Sequence, residues 1–390
     1  MPDAAVVPRR ILPVIVLSQF AGTALWFAVN AVMPNLQADW NMPPSAVGTL
    51  TSTVQLGFIA GTLAFAVLAI ADRFPARGVF LLCALAGAAC TVAATRIDRN
   101  LAAMLTLRFA TGFVLAGIYP VGMKIAAGWY RQGLGMALGF LVGALVLGTA
   151  APHGLRAIGA DWAWQSVMLA VAGIAAVGGV LMYVCVPDSP HLPRAPRVDP
   201  RVLAVIVRDR NVRASALGYF GHMWELYTFW VLVPLIVAGR VQSGGASATA
   251  FAVIAVGALG CVGGGLLVHR FGSARVAAAQ LAASGVCCVL APFALDAPLG
   301  IFIAWLLVWG ITVVGDSPQF STLTAHNAPR AAVGSVLTFV NCIGFAITIP
   351  SIQLFTWLAQ QVSLGVVLPW LALGPLAGLI GLRPLLARAA

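Results

Sequence analysis

Charged residues are scarce in this sequence. Only 8% of its 390 residues are charged, whereas 61% are hydrophobic, and the mean hydropathy is +0.97. Lysine and glutamate are almost absent, since the chain has one of each, Lys124 and Glu225. Soluble domains carry roughly 25% charged residues. The composition therefore excludes a soluble protein.

Several motifs of known chemistry are also missing. The sequence has no Gly-x-x-x-x-Gly-Lys-Ser/Thr loop, the motif that binds ATP. We therefore do not expect this chain to be powered directly by ATP hydrolysis. Its five histidines are dispersed without a His-Glu-x-x-His pair, so a metal-dependent enzyme is not indicated. All seven cysteines fall within or at the edge of apolar runs, where they pack as small hydrophobic side chains. We expect no disulfide frame, no metal site and no cofactor.

Long apolar runs dominate the chain instead. A helix of about 20 apolar residues crosses the roughly 30 Å of membrane hydrocarbon. The runs are too long and unbroken for the strands of a β-barrel, so they predict bundled helices. We predict an all-α polytopic membrane protein with twelve transmembrane helices, numbered as spans 1 to 12. They lie at 11 to 34, 47 to 71, 78 to 95, 101 to 125, 133 to 155, 165 to 186, 213 to 237, 248 to 268, 276 to 293, 299 to 321, 333 to 357 and 364 to 382.

The basic residues predict the orientation of the chain, because Lys and Arg are enriched in cytoplasmic loops. With both termini on one side, that side holds sixteen arginines and the opposite side holds four. We therefore predict that both termini are cytoplasmic. The net charge of +11 follows from this topology and from attraction to the lipid bilayer, so we expect no nucleic-acid partner. The sixteen are Arg9, Arg10, Arg73, Arg77, Arg131, Arg194, Arg197, Arg201, Arg208, Arg210, Arg213, Arg270, Arg275, Arg330, Arg383 and Arg388.

A pattern of two glycines and a proline recurs 198 residues along the chain, and this offset indicates an internal repeat. Its members are Gly112, Gly117 and Pro120 in the first half, and Gly310, Gly315 and Pro318 in the second. The longest polar connection separates spans 6 and 7. We predict an N-terminal six-helix bundle at 1–186, a cytoplasmic linker at 187–212 and a C-terminal six-helix bundle at 213–390. Within the linker, 199–209 suits a short amphipathic helix on the membrane surface.

The loops after spans 2 and 8 carry related motifs. The first contains Asp72, Arg73 and Arg77, and the second contains Arg270 and Arg275. Both are similar to the Gly-x-x-x-Asp-Arg-x-Gly-Arg loop of the major facilitator superfamily. Neither copy is complete, since glycines are replaced in the first copy and the acidic residue is replaced in the second. The resemblance implies a gating role for these five residues.

Span 4 adds a second resemblance. Its Arg108-Phe-Ala-Thr-Gly112 segment is similar to the Arg-x-x-x-Gly motif of the same superfamily. The resemblance implies two six-helix bundles, related by a pseudo-twofold axis along the membrane normal, that rock around a central solute site. Segments 221–227 and 315–321 are similar to a group of bacterial permeases of this superfamily that lack an assigned substrate. We therefore expect a monomeric secondary transporter in the bacterial inner membrane, with a membrane enzyme, a channel or a receptor as weaker alternatives.

Three ionisable residues in predicted spans indicate proton coupling, because burying such a group in a bilayer costs free energy and is therefore associated with function. Glu225 lies near the middle of span 7, where an apolar cavity disfavours its charged form and suits a proton carrier. His222 lies one helical turn earlier and can relay that proton. Asp316 follows Gly315 in span 10, at a predicted break. The structural alternatives are a permanently neutral Glu225 and a hydrogen-bonded kink at Asp316.

Five residues are candidates for solute binding: Trp26, Asn30, Arg108, Tyr119 and Gln319. Trp26 and Asn30 share a face of span 1, which offers a stacking surface and an amide. Arg108 presents a planar fork of donors that suits a carboxylate, so we lean towards an organic anion. If a buried carboxylate neutralises Arg108 instead, an efflux permease for neutral or amphipathic compounds is equally plausible. Lys124 either adds a cation to the cavity or extends to the headgroups.

Overall fold

The computed structural model describes residues 7–130, 134–189 and 199–389, and these residues form helices and connecting loops. Twelve helices in them are long and apolar enough to cross a membrane, which confirms the predicted all-α polytopic fold. Arg131, Arg194 and Arg197, which contribute to the predicted orientation, lie outside the described residues. The spans are Ile11–Trp40, Ala46–Val67, Ala76–Ala94, Leu101–Trp129, Gly135–Ile158, Trp164–Cys185, Arg210–Ala238, Gly244–Phe271, Ser273–Asp296, Leu299–Asn327, Arg330–Gln361 and Leu364–Ala387.

Several spans extend beyond the predicted apolar runs. Span 1 continues to Trp40, although its run was predicted to end at residue 34. Span 7 begins at Arg210 because the Asp209 carboxylate caps its first turn, accepting hydrogen bonds from the backbone N–H groups of Asn211 (2.8 Å) and Val212 (3.0 Å). Apolarity marks only the part of a helix that lies in hydrocarbon, whereas helical hydrogen bonding continues through its polar ends.

Spans 4 and 10 are interrupted at the same place in the repeat. Span 4 consists of Leu101–Leu115 and Tyr119–Trp129, and span 10 consists of Leu299–Gly315 and Ser317–Asn327. In both, a proline occupies the first turn of the second segment, where its missing N–H is tolerated. The shared interruption supports the internal repeat that the glycines and prolines predict.

Span 1 is broken as well, but its counterpart in the repeat is not. It consists of Ile11–Thr23 and Ala28–Trp40, whereas span 7 is one continuous helix. The break leaves backbone carbonyl groups near residues 24 to 27 that need partners from outside the helix. Carbonyl groups at the break in span 1 therefore need hydrogen-bond donors from other helices, whereas those of the unbroken span 7 do not.

The repeated glycines bring helix backbones together. A Cβ atom on Gly112 would overlap the carbonyl oxygen of Val54 in span 2, and one on Gly310 would overlap the carbonyl oxygen of Val253 in span 8. Span 2 packs on span 4 as span 8 packs on span 10. Small residues permit such close helix contacts in membranes. The two glycines thus perform the same packing role in each half.

The two halves contact one another on the side of the bundle opposite the chain termini, here called the distal side. The Gln353 amide of span 11 donates a hydrogen bond to Ser52 Oγ of span 2 at 3.0 Å. Gly154 of span 5 packs against the Phe251 ring of span 8. All four residues lie in the distal parts of their spans. These contacts join the halves at the distal side.

The linker contains the predicted short helix, at Val202–Arg208. Its apolar residues Val202 and Ile206 are buried, and the helix packs against spans 7 and 11. The backbone N–H of Asp199 donates to Ser335 Oγ in span 11 at 3.2 Å. Val202 and Ile206 therefore contact the protein, whereas the apolar residues Leu203 and Val207 are exposed, and contact with the membrane surface stays a prediction.

Candidate functional site

A small central cavity lies between the two halves and has a volume of about 20 Å³. Spans 4 and 5 form its wall in the first half, and spans 7, 10 and 11 form its wall in the second. None of the described residues that line it is charged. Of the five predicted solute-binding residues, Tyr119 is in this wall. The lining residues are Tyr119, Val142, Leu145, Tyr219, Met223, Leu226, Tyr227, Val314, Ser317 and Phe345.

Six aromatic side chains, here called the aromatic cluster, pack together at the distal end of this cavity. They are Trp26, Phe27, Phe58, Tyr227, Trp230 and Phe345. Neighbouring ring centroids within the cluster lie 4.5 to 6.3 Å apart, and all six side chains are buried. The rings come from spans 1 and 2 of the first half and spans 7 and 11 of the second. The cluster therefore closes the cavity with surface from both halves.

Trp26 and Asn30 direct their polar atoms to span 2 rather than to the cavity. The Trp26 indole N–H donates to Gln55 Oε1 at 3.0 Å, and the Asn30 amide donates to Thr51 Oγ1 at 2.8 Å. Both residues are buried, with 0% and 5% of their surfaces exposed. The Trp26 ring stacks on Phe345 at 5.5 Å. Their shared face thus holds helices together, and only the Trp26 ring borders the cavity region.

Arg108 binds the backbone of the broken span 1. Its guanidinium donates to the carbonyl oxygens of Leu25 (3.2 Å) and Trp26 (2.5 Å), and only 2% of its surface is exposed. These are the acceptors that the break between Thr23 and Ala28 leaves without helical partners. At the equivalent position of the second half stands Leu306, next to an unbroken span 7. Arg108 therefore stabilises the break in span 1 and lies outside the cavity lining.

Lys124 contacts the loop after span 2 and is not among the residues that line the cavity. Its ammonium donates to the Asp72 carboxylate (2.5 Å) and to the carbonyl oxygen of Ala71 (2.7 Å), in the loop after span 2. Arg77 of the same loop forms an ion pair with Asp188 at 3.1 Å. The loop is thereby joined both to span 4 and to the beginning of the linker. Part of its predicted gating motif is thus used for contacts within the N-terminal half.

The other predicted gating residues are exposed at the surface. Arg73 lies beside Asp72 in the first loop. In the second loop, Arg270 lies over the ring of Phe271, with its guanidinium carbon 5.2 Å from the ring centroid, and Arg275 follows in the first turn of span 9. The two loops are therefore unequal, because the acidic partner that binds Lys124 in the first has no counterpart in the second.

Glu225 is buried between spans 7, 9 and 10, with 1% of its surface exposed. Its Oε1 accepts hydrogen bonds from the Trp309 indole N–H (2.6 Å) and the Cys288 thiol (3.2 Å), and its Oε2 accepts from the Ser284 hydroxyl (2.9 Å). The Ser284 oxygen also lies 3.1 Å from the carbonyl oxygen of Leu281. Glu225 therefore has donors for both of its oxygens and lies behind the cavity wall.

His222 and Asp316 form a second buried polar pair, between spans 7 and 10. His222 Nδ1 lies 2.8 Å from Asp316 Oδ1, and both side chains are fully buried. The second imidazole nitrogen of His222, Nε2, has no hydrogen-bond partner among the described residues. Gln319 is buried one turn beyond Asp316, but it does not line the cavity. The structure thus brings two of the three predicted proton-coupling residues into direct contact.

The sequence family of the chain agrees with this architecture. The model of the Major Facilitator Superfamily matches residues 15–351. The chain belongs to the major facilitator superfamily. It is therefore a membrane transporter of a small solute rather than an enzyme. A search of curated proteins finds no match.

Solved transporters of this superfamily share the fold at low sequence identity. The nucleoside transporter NupG aligns with a TM-score of 0.73 and 11% identity, covering 96% of this chain and 99% of NupG. A bacterial homologue of the human lysosomal transporter Spinster, inward-facing and occupied, aligns with a TM-score of 0.67 and 15% identity over 97% and 94% of the two chains. Its inward-facing, unoccupied form gives a TM-score of 0.65 at 16% identity over 98% and 96%. These similarities establish the fold alone.

Sequence reasoning missed the groups that surround Glu225. Ser284 and Cys288 lie one helical turn apart in span 9, and Trp309 lies in span 10. The only signal is a pair of small polarizable side chains on one face of an apolar helix. That signal does not reveal which other helix the face contacts. Tyr219 and Tyr227, in the cavity wall, were missed for the same reason.

Proposed function

We propose that this transporter couples the movement of its solute to protons by alternating access. In this proposal, it resides in the bacterial inner membrane as a monomer with both termini in the cytoplasm. The two halves rock about the central cavity, and the contacts at the distal side alternate with contacts at the opposite side. The observation that carries the proposal is the arrangement of hydrogen bonds around Glu225.

The environment of Glu225 serves both of its protonation states. The ionised carboxylate accepts bonds from Trp309, Cys288 and Ser284. A protonated carboxyl needs an acceptor for its O–H group. Ser284 supplies it, because its hydroxyl can turn to the Leu281 carbonyl at 3.1 Å and leave its oxygen free to accept. Rotation of one hydroxyl therefore lets the carboxyl gain and lose a proton without leaving a buried polar atom unpaired.

The same donors favour a proton over a metal ion as the coupling ion. A metal cation such as Na⁺ or Ca²⁺ is held by oxygen atoms that direct lone pairs at it. The Trp309 N–H group and the Cys288 thiol point hydrogen atoms at Glu225 Oε1 instead. A cation at that oxygen would displace both hydrogen bonds.

The His222–Asp316 pair supports a relay towards the cavity. His222 lies one helical turn from Glu225 along span 7, and its second ring nitrogen has no hydrogen bond among the described residues. The Tyr219 ring lies 5.8 Å from the His222 ring and also lines the cavity. A proton entering from the cavity thus meets the pair before it reaches Glu225.

The contacts of Arg108 and Lys124 remove the support for an organic anion. That preference rested on Arg108 and Lys124 facing the solute, but Arg108 binds two backbone carbonyl groups and Lys124 binds Asp72. The uncharged cavity favours the alternative, a permease for neutral or amphipathic compounds. NupG is named a nucleoside transporter, and nucleosides are uncharged, but its 11% identity carries no argument about this chain's substrate.

The proposal is tested with purified protein. A thermal-shift screen of nucleosides, sugars, small acids and drugs first identifies a solute, because a ligand of the native state raises the unfolding temperature. That solute is then offered to proteoliposomes with and without an imposed pH gradient. Uptake that follows the gradient and becomes independent of it in Glu225→Gln supports the proposal. Uptake that ignores the gradient in both proteins contradicts it.

A further inference from the structure

Among the residues that the structure describes, those that line the central cavity carry aromatic rings but no charge. Three of the five tyrosines in the chain, Tyr119, Tyr219 and Tyr227, meet there with Phe345. Their rings come from spans 4, 7 and 11, so they reach the cavity from both halves. Flat aromatic surfaces of this kind bind aromatic partners by offset or edge-on stacking.

The polar groups of the cavity are few and neutral. Ser317 contributes a hydroxyl, and the Tyr219 hydroxyl donates to Asn341 Oδ1 at 3.2 Å. Hydroxyl and amide groups can both donate and accept hydrogen bonds. They therefore match hydroxyl, amide or ring-nitrogen groups on a solute rather than an ionised group.

An ionised solute would find no opposite charge among the described residues that line this cavity. Arg108 and Lys124 are held by the partners described above, and the Glu225 carboxylate receives three donors. His222 and Asp316 lie behind the wall and bind each other. A charge that enters an apolar cavity loses its hydration, and only a nearby opposite charge or several hydrogen bonds compensate for that loss.

We infer that the central cavity binds an uncharged, flat aromatic or heteroaromatic solute that carries hydroxyl or amide groups, and that it discriminates against charged analogues of the same shape. The inference rests on the proposed role of the chain as a carrier of a small solute. The cavity is small in this structure, so the two halves must move apart to admit the solute.

Matched probes that differ mainly in charge test this inference. We would measure the affinity of the full-length protein in detergent at pH 7 for nicotinamide, nicotinate and 1-methylnicotinamide, which are neutral, anionic and cationic. Adenosine with AMP and uridine with UMP form two further pairs. We expect at least one neutral probe to bind at least about tenfold more tightly than its charged partners, a free-energy difference of about 1.4 kcal/mol. The inference is overturned if no neutral probe binds, or if a charged partner binds as tightly as its neutral counterpart.

Variants of Tyr119 test the aromatic wall separately. For the neutral probe that binds best, we expect Tyr119→Ala to weaken affinity by about tenfold or more and Tyr119→Phe by less than about threefold, because stacking needs the ring and not the hydroxyl. Tyr130→Ala, at the end of span 4 and outside the cavity, is the matched control and should bind normally. Equal affinity in Tyr119→Ala and the natural protein would overturn the stacking argument. The charge comparison uses the natural protein, so it stands even where a variant fails to fold.

This experiment and the test of proton coupling fail in different ways. Binding is measured in detergent at a fixed pH of 7, so it requires neither a membrane nor a proton gradient. Tight neutral binding combined with gradient-independent transport would refute proton coupling and support the inference. Gradient-driven uptake of a charged solute would support proton coupling and refute the inference about the cavity.

Discussion

Replacing Glu225 separates its structural role from its proposed role in proton coupling. Glu225→Gln keeps the size of the side chain and one carbonyl oxygen, which can still accept from Trp309 and Cys288. The new amide N–H₂ faces Ser284, whose hydroxyl can turn to Leu281 and accept from it. Glu225→Ala removes every acceptor at this position.

The hydrogen bonds set the expected magnitudes. In Glu225→Gln, a bond to a charged acceptor becomes a bond to a neutral one, which costs about 1 kcal/mol. In Glu225→Ala, the buried Trp309 N–H loses its acceptor, at about 1–3 kcal/mol, and the vacated space adds about 1 kcal/mol. We therefore expect Ala to be less stable than the natural protein by about 2–4 kcal/mol, and Gln to lie close to the natural protein.

Two measurements check this prediction. Thermal unfolding in detergent, followed by tryptophan fluorescence, should rank the Ala variant clearly below Gln. In proteoliposomes loaded with a pH-sensitive dye, solute addition should acidify or alkalinise the lumen with the natural protein but not with Glu225→Gln, which should still exchange solute. Asp296→Asn, which removes an exposed carboxylate, is the control and should change neither result. The reasoning is refuted if Ala is as stable as Gln, or if the Gln variant still moves protons with the solute.

Three further predictions follow from contacts between helices. Gly310→Ala should lower the thermal unfolding temperature, because its Cβ would overlap a backbone oxygen of span 8. Gly173→Ala, which has open space around it, is the control and should be neutral or slightly stabilising. Equal effects of the two substitutions would contradict the packing role of Gly310. Arg108→Leu should lower stability by about 2–6 kcal/mol, because two buried carbonyl groups lose their donor, and a stable variant would show that the break in span 1 needs no cation. Cysteines introduced together at Ser52 and Gln353 should be cross-linked by a short bifunctional thiol reagent and stop transport reversibly; continued transport after complete cross-linking would show that the distal side does not open there.

Much of the scaffold could be predicted because it depends on local sequence. The recurrence of Gly112 as Gly310 predicted a duplicated frame, and both glycines contact a helix backbone in the structure. The pattern did not reveal that Arg108 donates hydrogen bonds to the backbone carbonyl groups at the break in span 1. No proline marks that break at residues 24 to 27, so the sequence carried no signal that carbonyl groups there would need a donor.

The candidate site was only partly accessible from the sequence. Glu225, His222 and Asp316 were identifiable because an ionisable residue in an apolar run needs a reason. The contact between His222 and Asp316 was not predicted, since 94 residues separate them along the chain. Their roles in transport stay a prediction. Trp26 and Asn30 were predicted to bind the solute, but their polar atoms bind span 2. Polar residues on one face of a helix can bind a neighbouring helix as well as a solute, and the sequence does not distinguish the two.

The sequence by itself determined that this protein is a bundle of twelve membrane helices with a repeated frame, because run length and residue spacing are local properties set by the thickness of the bilayer. Only the tertiary structure decided which partner each buried polar group has. Arg108 meets its acceptors 83 and 82 residues away, and Glu225 meets its donors 59 to 84 residues away. The physical reason is that hydrogen bonds act over about 3 Å, so the partner of a buried group depends on which helices touch.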